Sequence, residues 1–491
     1  AVTLYNQLNA QAGYDSDLGP VLYSKNKYNR NWKSAITGWV EERTLYQNLV
    51  RRGYDYLSPF TNMARTLKEN GNLLNEDQDV IAHIKVAPGK TKFALMENDR
   101  KFFRDLKRVM KHHKISVDML DEFLYSLHGR RRNEVLLRSK KKDDGSGLSN
   151  RELEALERKY KNHSKRVGLE RASSIIHSML DAQLNNMVDY GLIDEKTRNI
   201  WKKKWGPEYI PLKDEDARGI TVEALGRSRK AWSPTSHAMA QSQWTIIKGV
   251  QNAEINQSVL NLVRNFKGPW KDITTEVVTI DPTTGQEIVT LEATSRRNSE
   301  RVFKVMEKGK PVYIEFTGTE GLMAARALKR MDVESASKGI KFIGDFTRFY
   351  GGMLTSFNLA FTIPNLSRDI GMAMGNLMAE GHGTIARRSF NMAEMVRNHQ
   401  AVRRYLRSPE GVVLSPELQI VEEFFQDGGS VEQFGVGNPL DIYTSLEKDL
   451  KRSKGTEYVV NFFKWIETEN KVMENMMRFS AYKHARELGM S

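Results

Sequence analysis

Apolar positions recur at helical spacing along most of this chain. Between residues 34 and 52, Ile36, Trp39, Val40, Leu45, Leu49 and Val50 fall near the 3.6-residue period, which predicts an amphipathic helix. Residues 97–113 predict a basic helix with Phe102, Phe103, Leu106, Val109 and Met110 on one face. Residues 149–201 predict two further helices, and Ser149 followed by Glu152 has the spacing of a capping box at their start. Gly206-Pro207 and Pro211 then interrupt the pattern and predict an extended strap over GPEYIPLKDED.

The period shortens to two near residue 273. ITTEVVTI and QEIVTLE alternate on either side of DPTTG, which predicts a hairpin, with PVYIEF (311–316) as a third strand. Helical spacing returns from Thr319, apart from Gly/Pro-rich turns at 408–416 and 427–439, and no repeat of solenoid period is present. The expected class is mainly α: an extended, multi-helix chain with one small antiparallel β insertion at about 273–316. Its expected parts are an N-terminal helical domain (1–129), a basic flexible linker (130–150), a helical domain with the strap (151–272), the hairpin insertion (273–318) and a C-terminal helical domain (319–491) that reads as truncated.

One segment departs from amphipathic spacing. Phe349 to Ser367 is uncharged for 19 residues and apolar or small nearly all round. At about 1.5 Å per residue it reaches the lower end of a membrane span. Thr355, Ser356, Asn358, Thr362, Pro364 and Asn365 make it more polar than a lipid-facing helix, while Gly351, Gly352 and Ala360 suit close helix–helix contact. Two arrangements stay open: a buried or subunit-interface helix pair, and contact with a membrane.

Composition narrows the partners. The 491 residues are 40% hydrophobic and 28% charged, which is a folded, globular balance. With 75 Lys+Arg against 61 Asp+Glu the chain carries +14, which favours a polyanionic partner, nucleic acid or an anionic membrane surface. The absence of cysteine excludes disulfides, thiolate zinc sites and thiol nucleophiles. The N-terminus lacks the basic and apolar regions of a signal peptide and has no initiator Met, so the chain reads as an ordered piece or processed product of something larger.

No catalytic constellation emerges. Gly89-Lys90-Thr91 lacks the upstream glycine of a phosphate-binding loop, with Ile84 in that place, and reads as an ordinary Pro-Gly turn. His112-His113 have no partner carboxylates at ligand spacing, there is no GxSxG elbow, and acid pairs such as Glu422-Glu423 and Asp143-Asp144 read as solvated faces. The expectation is a non-enzyme with no metal and no cofactor. The basic clusters say more. Arg130, Arg131, Arg132, Arg138, Lys140, Lys141 and Lys142 fall in one short stretch, and Lys202, Lys203 and Lys204 form a second group. Such groups neutralise phosphates of double-stranded DNA without reading sequence. Trp201 and Trp205 bracket the second group, where core anchoring at i, i+4 competes with stacking on bases.

FIGDFTRFYGGMLTSFNLAFTIPNLSRD resembles a motif of the large polyvalent proteins of phages and mobile elements: a helix, a break at Pro364, then Asn365, Arg368 and Asp369. WIETENKVMENMMRFSAYKHARELG resembles the helix that follows in that family, through Trp465, Glu474, Arg478 and Phe479. The strap and the hairpin with PVYIEF are similar to segments that precede it, so the likeness covers about residues 165–491. It extends in architecture to the large internal core protein of podophages, which is ejected ahead of the genome. The resemblance implies a virion protein packed inside the particle and delivered through host periplasm to inner membrane or cytoplasm. It also implies homo-oligomers, contacts with other virion or ejection proteins, and contact of 349–367 with the host inner membrane as one arrangement. The other reading is an accessory DNA-binding module of a mobile-element polyprotein, acting inside the cell.

The motif residues also read structurally. Pro364 suits a first helical turn, and Asp369 would then favour the positive end of that helix. Arg368, beside an uncharged run, would need a carboxylate elsewhere. Glu474 and Arg478 have the favourable i, i+4 order.

Overall fold

The computed structural model describes residues 74–138, 145–213, 230–280, 287–293, 299–331, 391–408, 413–430, 439–451 and most of 472–489, with isolated positions between. The expected helix at 34–52, the 349–367 run, and Pro364, Asn365, Arg368 and Asp369 lie outside the described residues. Described residues are mainly helical, at 73%, with small antiparallel sheets between them.

Helix α1 (Val80–Asn98) starts on Asp79, whose carboxylate accepts from the Ile81 and Ala82 amides. Pro88, Gly89, Lys90 and Thr91 lie inside it, so the Pro-Gly turn expected there is a helix. Tertiary packing overrides the local signal. A Cβ at Gly89 would lie 2.1 Å from the Gly428 carbonyl oxygen, so glycine admits the 428–430 loop against the helix. A π-helical turn (Asp99–Phe103) joins α1 to α2 (Arg104–His113). Phe102, Phe103, Leu106 and Met110 of the expected apolar face are buried, with Val109 packed alongside.

Helix α3 (Val117–Arg138) includes Arg130, Arg131, Arg132 and Arg138, so residues 130–138 are not a flexible linker. Leu124, His128, Arg132 and Leu136 are all buried at four-residue spacing. The stripe continues through the charges, and that keeps the helix going. Lys140, Lys141 and Lys142 lie outside the described residues. Next, α4 (Asn150–Lys161) opens with the expected capping box, in which Ser149 and Glu152 bond each other's backbone amides. Residues 149–205 form three helices where two were expected: α4, α5 (Arg166–Asp189) and α6 (Glu195–Trp205). The missed break is Gly191, at φ 70°, followed by Asp194 capping Thr197 at 2.8 Å.

Helix α7 (Pro234–Gln251) is buried on nearly all sides and packs against α1, α3, α5 and, in the C-terminal part, α12 (Pro439–Lys451). It ends in a second π-helical turn (Asn252–Asn256) that runs into α8 (Gln257–Asn265). The hairpin pairs β2 (Thr274–Ile280) with β3 (Glu287–Ala293). PVYIEF lies in β5 (Lys310–Phe316), the centre of a sheet ordered β1 (Trp270–Asp272), β5, β4 (Val302–Glu307). The outer edge of β4 is covered: Asn252 bonds both the amide and the carbonyl of Met306, at 3.2 and 2.9 Å, as a neighbouring strand would.

Three cores result. The largest joins α2, α3, α4, α5, α7 and α12; the second joins α1, α7, α8 and the β sheet to α9 (Gly318–Met331). The third holds α10 (Met392–Arg407), α11 (Pro416–Gln426) and Phe479 of a helical segment at 478–487, with Phe479 5.7 Å from Phe424. Arg478 is exposed, and Glu474 lies outside the described residues. Arg100, in the π-helical turn between α1 and α2, ties that junction to the third core by donating to the Tyr405 carbonyl at 3.0 Å while lying over its ring. Among the described residues no helix is long and apolar enough to cross a membrane.

Candidate nucleic-acid interface

Two basic clusters some seventy residues apart in sequence meet at one corner of the fold. The C-terminal turns of α3 lie against the C-terminus of α6, and the Arg131 guanidinium reaches the Lys203 and Lys204 carbonyl oxygens at 3.4 and 3.3 Å. These are long for hydrogen bonds. They place a cation at the negative end of the α6 dipole, where unpaired carbonyls gather.

The six residues of the two triplets have different environments. Arg130 faces α4 and pairs with Glu154 at 3.1 Å and Glu157 at 3.5 Å. Arg132 is 3% exposed, donates from Nε to the Gly145 carbonyl at 3.1 Å, and lies 5.9 Å from the centre of the Trp205 ring. Lys202 pairs with Asp181 of α5 at 2.7 Å. Lys203 and Lys204 are exposed, and among the described residues neither has an acidic partner; the Lys204 ammonium also lies over Trp205 at 5.1 Å. Arg131 is exposed as well. The charge free to meet a phosphate is therefore concentrated on Arg131, Lys203 and Lys204. Arg138 stands at the end of α3.

Trp205 is half-buried and packs on other rings of the chain. It lies 6.3 Å from His128 and 6.1 Å from Tyr209, and Tyr209 lies edge-on to His128 at 5.4 Å. Gly206, at φ 76°, ends α6 and turns the chain into the expected strap, whose Ile210, Pro211 and Leu212 are buried. Trp201 is half-buried on the same helix. Sequence reasoning passed over His128 entirely. The signal was the four-residue spacing it shares with Leu124, Arg132 and Leu136.

The interior along α3 and the strap that leads to this corner is polar. Asp121, from α3, accepts from the Thr235 amide at 2.8 Å and so caps α7 from a neighbouring helix; burial pushes its carboxyl up to about 6. Burial, with Arg132, His177 and Arg131 nearby, pushes His128 down to about 3. Lys213, at the end of the strap, is lowered by burial to about 8. Among the described residues no group of three His, Cys, Asp or Glu side chains comes together as a metal site.

No family model, curated protein or solved structure matches the chain. The fold and the basic corner thus stand on their own geometry.

Proposed function

We propose that this chain is an internal protein of a phage particle, packed with the genome and delivered into the host with it. There it binds duplex DNA through phosphate contacts and assembles with copies of itself or with other virion and ejection proteins. The observation that carries the DNA reading is the meeting of Arg131 with the C-terminus of α6, which brings exposed Arg131, Lys203 and Lys204 to one corner of a chain of net charge +14. Each such contact releases counterions and positions the protein without selecting sequence. The work is electrostatic and structural, with no chemistry on a substrate. The resemblance of residues 165–491 to polyvalent phage proteins supports the virion assignment.

Quantitative proteomics of intact particles and of particles induced to release DNA tests that assignment. Presence inside and loss on release is the expected result. Absence from the particle overturns it and leaves an intracellular accessory DNA-binding module of a mobile-element polyprotein.

A further inference from the structure

We propose that the buried ring of His128 is an acid-sensitive latch for the strap. When it takes up a proton, residues 205–213 lift and Arg131 parts from the end of α6. His128 is 0% exposed, and among the described residues neither ring nitrogen has a hydrogen-bond partner. A neutral ring tolerates that environment, whereas an imidazolium there would carry two unsatisfied donors and a buried charge.

The surroundings make the charged form worse. From its own helix Arg131 and Arg132 face it; from α5 comes His177, which lies against Ser173 and the Glu208 backbone. From α6 comes Trp205 with the Lys204 ammonium over it, and from the strap comes Tyr209, edge-on to the ring. Among the described residues, no acid is among the charged groups that act on the ring, which are Arg132, His177 and Arg131. Water must enter to relieve the imidazolium, and the strap is the element to move. It is a short extended segment, held by Tyr209, Ile210, Pro211 and Leu212, between α6 and residue 213. Ile210 and Leu212 place the strap in the same largest core as α3 and α5, but its extended backbone lacks the i→i−4 ladder that holds those helices together.

The sign follows from linkage. The ring is held below its ordinary value when closed and returns to about 6.5 when open. Closure is therefore fully favoured above pH 6.5 and weakens as pH falls toward 3, the value near which the closed ring itself titrates. Between pH 7 and pH 5 one released histidine multiplies the open fraction by roughly 25-fold, and His177 adds to this if it is freed too.

Hydrogen–deuterium exchange of the full chain at pH 7 and pH 5, corrected for the intrinsic pH dependence of exchange, tests the latch. The expected result is a roughly 25-fold or greater rise in opening of the 205–213 amides, absent from α7, and cut to a few-fold in both H128F and H128Q. Comparing the pH ratio within each protein removes any difference in their basal stability. An equal rise in α7, which would signal global acid unfolding, overturns the latch, as does an unchanged ratio in both variants. The consequence for DNA rests on the binding reading above. Strap release at pH 5 without any duplex affinity at pH 7 would sink that reading and leave the latch standing.

Discussion

Arg130, Arg131 and Arg132 on α3 and Lys202, Lys203 and Lys204 on α6 carry equal formal charge, and the fold uses them differently. Two of the three arginines are held by partners of their own chain, Arg130 at the surface by Glu154 and Glu157, Arg132 in the interior by Gly145 and the Trp205 ring. Two of the three lysines stay exposed, and Lys202 alone of them is paired, with Asp181. The planar guanidinium has five donors and stacks on aromatics, so it can be buried and satisfied; the ammonium is a hydrated point charge on a flexible stem. Position on the helix decides the rest. Arg132 falls on the stripe of Leu124, His128 and Leu136, whereas Lys203 and Lys204 fall on the outer face of the last turn of α6. A count of basic residues overstates the charge available to a partner.

Several substitutions would break this contrast if it is drawn wrongly. Arg132→Ala should have the largest effect on the fold. It strips a buried guanidinium from the Gly145 carbonyl and from Trp205, at a cost of about 3 kcal/mol in urea unfolding. A loss under about 0.5 kcal/mol would mean Arg132 is no more structural than its neighbours. Asp121→Asn probes the other end of the same buried stripe. The Asp121 carboxyl is raised on folding from its unfolded value of 3.8 to about 6. Its contribution is therefore full below pH 3.8 and lost as pH rises through 6. Asparagine keeps an acceptor for the Thr235 amide, so the variant should gain about 2 kcal/mol at pH 7 relative to its difference from wild type at pH 4. Equal differences at the two pH values would contradict the burial argument. The smallest effect belongs to Arg130→Ala, within about 0.5 kcal/mol, because its partners Glu154 and Glu157 are half-exposed.

The sequence made the helical class and the β insertion readable because both rest on periodicity, and Ser149–Glu152, ITTEVVTI and PVYIEF behaved as their local chemistry requires. Where it misled, a long-range contact was stronger than a local one. Pro88-Gly89 reads as a turn until the Gly428 loop is laid against it, and RRRNEVLLR reads as a solvated linker until Leu153 is found packed on Gly129 and Gly145 against Asn133. The candidate site was half legible. Both clusters were visible as composition, but their meeting depends on how α6 crosses α3, which no local pattern encodes. Pro364, Asn365, Arg368, Asp369 and Glu474 fall outside the described residues, so their readings rest on the sequence.

The central claim of the proposal is that exposed Lys203 and Lys204 of α6, with Arg131, supply the phosphate contacts, more than the engaged Arg130 and Arg132. The most direct test is the salt dependence of binding to duplexes of unrelated sequence, for wild type and for the Lys203→Ala/Lys204→Ala double variant. The account predicts weaker binding by the same factor on every sequence and a log–log salt slope shallower by about 2, with stability changed by less than about 0.5 kcal/mol. An unchanged slope would contradict it and return this corner to the status of a solvated surface.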